Sequence, residues 1–360
     1  MPTKNKTKSQ VKVSGQQMAI IAFKPKKVTK DLLSVLSDKA RDIIIARYGL
    51  GTTVKKETLE LIGKKYGITR ERVRQIENHS LEYIRRSEVT LKNSNIFDEI
   101  KDVIKKLGGM VSEKDLLNSI SNKSDIQNHI HFLLVIGDYF IKRREDQDFH
   151  HRWHIDEDLS GQIHISLQNL YQSLSDDDLI SEPDMIKLFL EDLKGVSEEY
   201  RQDEIVRRWL SLSKKLGKNP LGEWGKSQSP NVKAKGIRDY AFLIMRKHGT
   251  PIHFRDIAKS IEKVFNKKAH VATTHNELIK DPRFILVGRG LYALNEWGFS
   301  GGVVKDVIRD VLLEHGPLTK KEIIEIVLKK RFVKENTVLV NLQNPAYFRK
   351  DKQGKYSVVQ

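Results

Sequence analysis

Four side chains, Arg70, Glu71, Arg74 and Gln75, fall at i, i+1, i+4 and i+5 along a run with helical patterning. At 3.6 residues per turn that spacing gathers them on one side of a helix. A guanidinium can donate two bonds to guanine O6 and N7, a glutamine amide can pair with adenine N6 and N7, and a glutamate can accept from cytosine N4. The four together have the chemistry to read base edges in a major groove. They are equally able to pair with one another as (i, i+3) and (i, i+4) ion pairs on a solvated face, and spacing alone leaves both readings open. The opposite side of the run, Val73, Ile76, Ser80 and Ile84, is expected to be buried.

The flanking residues suit the task of holding this fork. Thr69 is placed as N-cap, and Arg72, three residues on, leaves a capping box incomplete. The Thr69 hydroxyl and the free amides of a helix N-terminus suit a phosphate, and Lys64, Lys65 and Arg72 add cations for the nucleic-acid backbone. Upstream, Leu59, Leu61 and Ile62 make an apolar stripe on a short helix. Tyr66, Gly67 and Ile68 form a tight turn in which Gly67 is free to take the left-handed conformation. A helix, a tight turn and a second helix with an outward polar fork define a helix-turn-helix.

The chain has 360 residues, 39% hydrophobic and 31% charged, a soluble globular mix. Its net charge of +17 makes an acidic polymer, double-stranded DNA above all, the first partner to consider; a merely soluble basic protein is the alternative. The absence of cysteine excludes disulfides, thiolate catalysis and cysteine-ligated metal. No apolar stretch is long enough for a membrane span and no secretory leader is seen, which points to the cytoplasm and, with the charge, to the nucleoid. The charge is uneven. Residues 1–30 hold eight lysines and no acid, so residues 1–29 are expected to be a disordered basic arm. Tyr171 to Glu204 is acidic, a poor DNA surface and better suited to a solvated or protein-docking face.

The fold is expected to be mainly α with small β wings, a helix-turn-helix followed by several winged-helix domains. Three stretches share one signature: KLGGMVSEKDL from Lys106, KHGTPIHFRDI from Lys247 and, one residue shorter, HGPLTKKEI from His315. In each, a helix ends at glycine, an apolar residue follows, and the next helix starts near Ser112, His253 or Thr319. Hairpin-like pairs close the last two, Phe284–Val287 with Leu291–Leu294 and Tyr347–Lys350 with Lys355–Val359, and the first ends in β-like Tyr139–Lys142 and Arg152–Ile155. The divisions that result are a helix-turn-helix over 30–90, winged helices over 93–158, 236–298 and 300–360, and an acidic helical segment over 160–213. Residues 214–235 read as a linker, in which Trp224 is expected to dock.

His129, His131, His150, His151 and His154 invite a metal, yet the last three lie in a β-like stretch and no carboxylate pattern or helical (i, i+4) histidine pair completes a site. His270 and His275 are expected to cap or pack, although His275 and Asn276 could face DNA. Arg289, between strands, suits a phosphate contact or a solvated turn equally. No nucleotide loop or catalytic constellation is visible. The expectation is a binding protein with no metal or cofactor, and not an enzyme; its oligomeric state is not legible.

Two stretches, LSDKARDIIIARYGL from Leu36 and TLELIGKKYGITRERVRQIE from Thr58, resemble region 4 of the sigma-70 family of bacterial RNA polymerase sigma factors over residues 30–88. The resemblance implies promoter −35 recognition and docking on the polymerase β flap. By position it makes Arg70, Glu71, Arg74 and Gln75 base contacts and Thr69 a phosphate contact. About 30 residues precede the module and no aromatic-rich region 2 is seen, so a complete primary sigma factor is not expected.

GTPIHFRDIA from Gly249, THNEL from Thr274, DPRF from Asp281 and VGRGLYAL from Val287 resemble the HARE-type winged helix over residues 236–298. That family occurs in the polymerase delta subunit, in chromatin proteins and beside restriction endonucleases. The resemblance implies a non-catalytic nucleic-acid or polymerase adaptor. Transcription initiation with polymerase core is the first expectation. A delta-like or chromosome-architectural protein is the second, and the recognition subunit of a restriction system the third.

Overall fold

The computed structural model describes residues 21–299 and 303–359. They are mainly helical with small antiparallel sheets, as the sequence patterning predicts. Two compact units form. One comprises residues through Leu174 with Pro183–Leu216, the other Ser175–Glu182 with Gly217 onward.

Residues 1–20 of the expected basic arm lie outside the described residues. Residues 25–29, also assigned to the arm, instead open helix α1 (Pro25–Leu33). Pro25 presets the φ of a first helical turn, and Val28 and Thr29 are buried. Next come α2 (Asp38–Tyr48), α3 (Leu59–Tyr66), α4 (Arg70–Arg85) and α5 (Glu88–Lys92). A winged helix follows: α6 (Ser94–Lys106), β1 (Met110–Ser112), α7 (Glu113–Ile120), α8 (Ser124–Ile136), β2 (Ile141–Arg143) and β3 (Arg152–His154). In its sheet β3 lies between β1 and β2, with His154 opposite both Met110 and Ile141.

The break expected between 30–90 and 93–158 is not a break in the core. Leu32, Ile44, Tyr48, Leu81 and Ile84 share one apolar cluster with Ile100, Ile104, Ile130, Phe132, Leu133 and Trp153. Helix α8 joins the two parts. Asn128 Nδ2 donates to the carbonyls of Gly49 (3.1 Å) and Val54 (2.8 Å), and Arg85 Nη2 donates to Val135 O at 2.7 Å.

The acidic stretch adds α9 (Glu157–Ser173), α10 (Glu182–Asp192) and α11 (Asp203–Leu210). Helix α11 turns Ile205, Val206, Trp209 and Leu210 inward, and the Trp209 indole donates to the carbonyls of Gly108 and Met110, each at 3.2 Å. Gly108 does more than stop a helix. Its φ is +111°, and a Cβ there would lie 2.5 Å from Ile205 Cγ2, so only glycine admits α11.

The expected linker 214–235 is folded, and most of it belongs to the second unit. Strands β4 (Leu216–Lys218) and β5 (Trp224–Lys226) pair, and Trp224 is buried, its backbone exchanging hydrogen bonds with Ile180 at 2.7 and 2.8 Å. Gly225 serves tight packing, since a Cβ there would meet Asp178 O at 2.5 Å, and Gly222 serves a turn at φ +88°.

The next module is α12 (Ile237–His248), β6 (Ile252–His253), α13 (Phe254–Phe265), α14 (Val271–Lys280), β7 (Phe284–Leu286) and β8 (Leu291–Leu294). The last is α15 (Val304–His315), β9 (Leu318–Thr319), α16 (Lys320–Lys330), α17 (Glu335–Leu342), β10 (Phe348–Lys350) and β11 (Lys355–Val358). Each has its own apolar cluster. In all three winged modules the final strand lies between its hairpin partner and the strand before the second helix, so the repeat visible as a glycine signature is also a repeat of topology.

Candidate nucleic-acid interface

Helix α3 is closed by Gly67, which takes φ +64° in the left-handed region, and α4 begins three residues later. Gly63 supports the same turn, since a Cβ there would lie 2.7 Å from Ile68 O; nothing in the local pattern singled it out. Thr69 Oγ1 caps α4 by accepting from Arg72 N at 3.1 Å. Its hydroxyl proton and the first amides of α4 stay available to a phosphate.

The core side of α4 is as expected at Val73, Ser80 and Ile84, which are buried, and at Ile76, which is half-buried. Glu77 and Leu81 are buried too, and Glu77 escapes the pattern because an apolar period does not register a carboxylate whose partner comes from another helix. That partner is Arg47 on α2. Burial and the Glu77 carboxylate also raise the Tyr48 phenol well above its usual range, which keeps it neutral. The stripe expected on α3 is narrower than predicted. Ile62 is buried and Leu59 half-buried, but Leu61 is half exposed, since it sits about 100° around the helix from Ile62.

Arg70, Glu71, Arg74 and Gln75 are all exposed on α4. Arg74 embraces Glu71, with Nη2 at 2.6 Å from Oε1 and Nε at 2.9 Å from Oε2. Arg72 Nη1 donates to Gln75 Oε1 at 3.1 Å. Hydrogen bonding by Arg74, reinforced by its charge, holds the Glu71 carboxyl below the usual carboxylate range. The intrahelical pairing thus exists, and exposed pairs of this kind add little stability. Lys64 lies 3.3 Å from Glu60, Lys65 lies over the Tyr66 ring at 5.8 Å, and both are exposed. Gly63, Lys64, Gly67, Thr69, Arg70 and Arg72 line one depression beside the α4 N-terminus.

The other expected contact residues belong to the second unit. His275 is half-buried, stacked on Phe254 at 4.4 Å and edge-on to Tyr292 at 5.9 Å, while Phe254 stacks on His253 at 4.5 Å. His275 is thereby part of a ring stack, whereas Asn276 and Arg289 are exposed. His270 stands at the α14 N-cap, where its carbonyl accepts from the Thr274 hydroxyl at 3.0 Å.

His131 and His164 serve the first unit's interior. Burial drives His131 down to about 4, with Lys56 adding to the effect, and its ring faces Glu113 and Lys142. His164 is likewise pushed down to about 4 by burial and the neighbouring Arg152, from whose Nε it accepts at 2.6 Å. Among the described residues no three His, Cys, Asp or Glu side chains are grouped to hold a metal ion, and no helix is long and apolar enough to cross a membrane.

Residues 32–86 match the family model described as Sigma-70, region 4. The RNA polymerase principal sigma factor HrdD of Streptomyces griseus is 38% identical over 74 residues, 21% of this chain and 22% of that protein. Its namesake from Streptomyces viridifaciens is 38% identical over 69 residues, 19% and 20%. The RNA polymerase sigma factor RpoS of Coxiella burnetii is 45% identical over 53 residues, 15% of each. The chain thus spans about a fifth or less of the length of these curated relatives. The helix-turn-helix is a sigma-70 region 4 domain, and the family match ends at residue 86.

Proposed function

We propose that this chain is a DNA-binding transcription protein, not an enzyme, that acts with bacterial RNA polymerase in transcription initiation or its regulation. The observation that carries the reading is the exposed row Arg70, Glu71, Arg74 and Gln75 on α4, inside the segment that matches sigma-70 region 4. Arg70, Glu71, Arg74 and Gln75 read bases, while Thr69, Arg72, Lys64 and Lys65 hold the phosphate backbone. The polymerase β flap is the docking partner this reading favours. The second winged module, over 236–298, acts as a HARE-type winged helix, with Asn276 and Arg289 as its nucleic-acid contacts and His275 as their packed support. The compartment is the cytoplasm, with residence on the nucleoid.

Selection from a randomised duplex library by the full chain, with co-purification against core polymerase, tests this. The expected result is a defined preferred sequence and retention of core enzyme. Salt-sensitive binding with no sequence preference would replace it with the delta-like or chromosome-architectural reading. Specific binding that requires a restriction endonuclease partner and no polymerase would favour a restriction recognition subunit.

A further inference from the structure

The three winged modules share a topology and differ in what they offer a duplex. In the first, the third helix α8 is closed off: Ile130, Phe132, Leu133 and Leu134 are buried, and Asn128 is committed to Gly49 and Val54. The cations of its wing strands are committed too. Lys142 Nζ lies 2.7 Å from Glu113, Arg143 pairs with Glu157, and Arg152 Nη2 lies 3.1 Å from Asp146. This module braces the helix-turn-helix and has neither a free helix nor a free basic wing strand for a groove.

The last module is the reverse. Its third helix, α17, exposes Glu335, Asn336, Thr337 and Val340 and carries no cation. Its wing exposes Arg349, Lys350, Lys352 and Lys355, and among the described residues Arg349, Lys350 and Lys352 have no acidic partner. The single acid of the turn, Asp351, is engaged in building it: the carboxylate accepts from Gln353 N at 2.9 Å and Lys355 N at 2.8 Å. Gly354 completes the reversal at φ +85°. The strands are pinned in register, Arg349 opposite Ser357 and Lys350 opposite Tyr356, and Phe348 is buried beneath them. Lys350 lies over the Tyr356 ring at 5.8 Å, a contact that leaves its charge unneutralised. Three cations without an acidic partner on a short, edge-exposed hairpin suit the closely spaced charges of a nucleic-acid backbone.

We propose that the C-terminal module binds duplex DNA through its wing, by phosphate contacts from Arg349, Lys350 and Lys352, and not through its third helix. The wing adds affinity without base preference, because cations aimed at phosphates carry no sequence information. This rests on the DNA-binding reading above and assigns a second, independent contact to it.

The test uses the full chain and a duplex carrying its preferred site, with affinity measured from low to moderate salt. Arg349→Gln, Lys350→Gln and Lys352→Gln together should flatten the slope of log K against log salt by about 2–3, at roughly 0.9 for each phosphate no longer neutralised. Lys352→Gln alone, at the turn tip, should flatten it by about 1. The preferred sequence should not move. Asn336→Ala with Thr337→Ala on α17 should alter neither slope nor preference. A wild-type slope in both wing variants overturns the proposal, and so does a changed preference in the α17 variant. If polymerase co-purification falls while the DNA slope stays put, the wing is a protein contact and the proposal fails. These failures leave the reader-helix assignment standing, whereas a wild-type chain with no DNA affinity at any salt removes both.

Discussion

Arg47 on α2 and Glu77 on the inner side of α4 form an ion pair, with Nε at 3.3 and 3.4 Å from the two carboxylate oxygens. Glu77 is nearly buried, while Arg47 keeps about a third of its side chain exposed and also donates to Glu57 O at 3.1 Å. The pair fixes the roll of α4, and so the direction of its outer face. Glu77→Ala should destabilise the first unit by about 1–3 kcal/mol, since it strands a half-buried guanidinium. DNA affinity should fall for all sequences alike, with the preferred site unchanged. Urea unfolding and library selection check the two parts, and a shifted site would mean that Glu77 reaches the readout more directly.

In the second unit Arg283 binds Asp281 at 2.7 Å and Asp239 at 3.1 Å, and its Nη1 donates to Asn231 Oδ1 at 3.1 Å. Burial opposes ionisation of Asp281, but the hydrogen bonds and charge of Arg283 prevail and hold its carboxyl below the usual range. A carboxyl depressed in the folded state adds stability above its unfolded value near pH 4, lost as pH falls through the lower folded value. The stability advantage of wild type over Asp281→Asn should therefore be full at pH 7 and shrink below about pH 4. Arg283→Ala, which leaves two buried carboxylates without their cation, should cost about 3 kcal/mol at pH 7. Thermal melts of the two variants across pH provide the check.

The shared core of the first unit predicts that the helix-turn-helix does not stand alone. A fragment ending at Lys92 loses Ile130, Phe132 and Leu133, against which α1, α2 and α4 are packed. It should lack a cooperative unfolding transition, whereas a fragment running to Leu216 should keep one. Within the full chain Leu133→Ala, fully buried, should cost about 2–5 kcal/mol. A sharp melt from the shorter fragment would show that the apolar faces can close without α8.

Much of this architecture was legible because local signals are strong where helices meet turns. Gly67, Thr69 and the four outward residues of α4 sit where spacing put them, and the hairpins at 284–294 and 348–358 are bounded by the expected turns. What escaped was non-local. The Glu77 clamp depends on Arg47, thirty positions away, and the shared core depends on α8 reaching back to Gly49. Residues 214–235 look like a spacer because tight turns and linkers use the same glycines and serines. The stacking of His275 on Phe254 was not legible, because the two rings become neighbours only through the fold.

The lysines of residues 2–20 test the electrostatic part of binding separately. Deletion should stop at residue 20, since removal through residue 28 would take Pro25 and Val28 out of α1. The deletion removes Lys4, Lys6, Lys8 and Lys12. It should flatten the salt slope by at most about 4, at roughly 0.9 for each phosphate no longer neutralised, and leave the preferred sequence unchanged. A new preferred sequence would mean that this segment reads bases, as a minor-groove arm does.

The sharpest prediction concerns Glu71 and Arg74. Free of DNA they satisfy each other on an exposed face, so removing either should barely shift the melting temperature. On DNA the two readings of that pair separate. If Arg74 turns to a guanine edge, Arg74→Ala should weaken the preferred site by roughly 10- to 100-fold and relax one base pair of the preferred sequence. Gln75→Ala should relax a different base pair by a similar factor, because its amide faces an adjacent step along the same helix. Glu71→Ala should release Arg74 from its partner and change discrimination at the same base pair, a coupling that a double-mutant cycle measures directly. Lys64→Ala and Lys65→Ala should weaken every sequence about equally and leave discrimination intact. A purely solvated pair makes the contrary prediction, with the melting temperature and the preferred sequence both unmoved in Glu71→Ala, Arg74→Ala and Gln75→Ala. That result, combined with reduced retention of core polymerase, would turn α4 from a reader of DNA into a surface for protein.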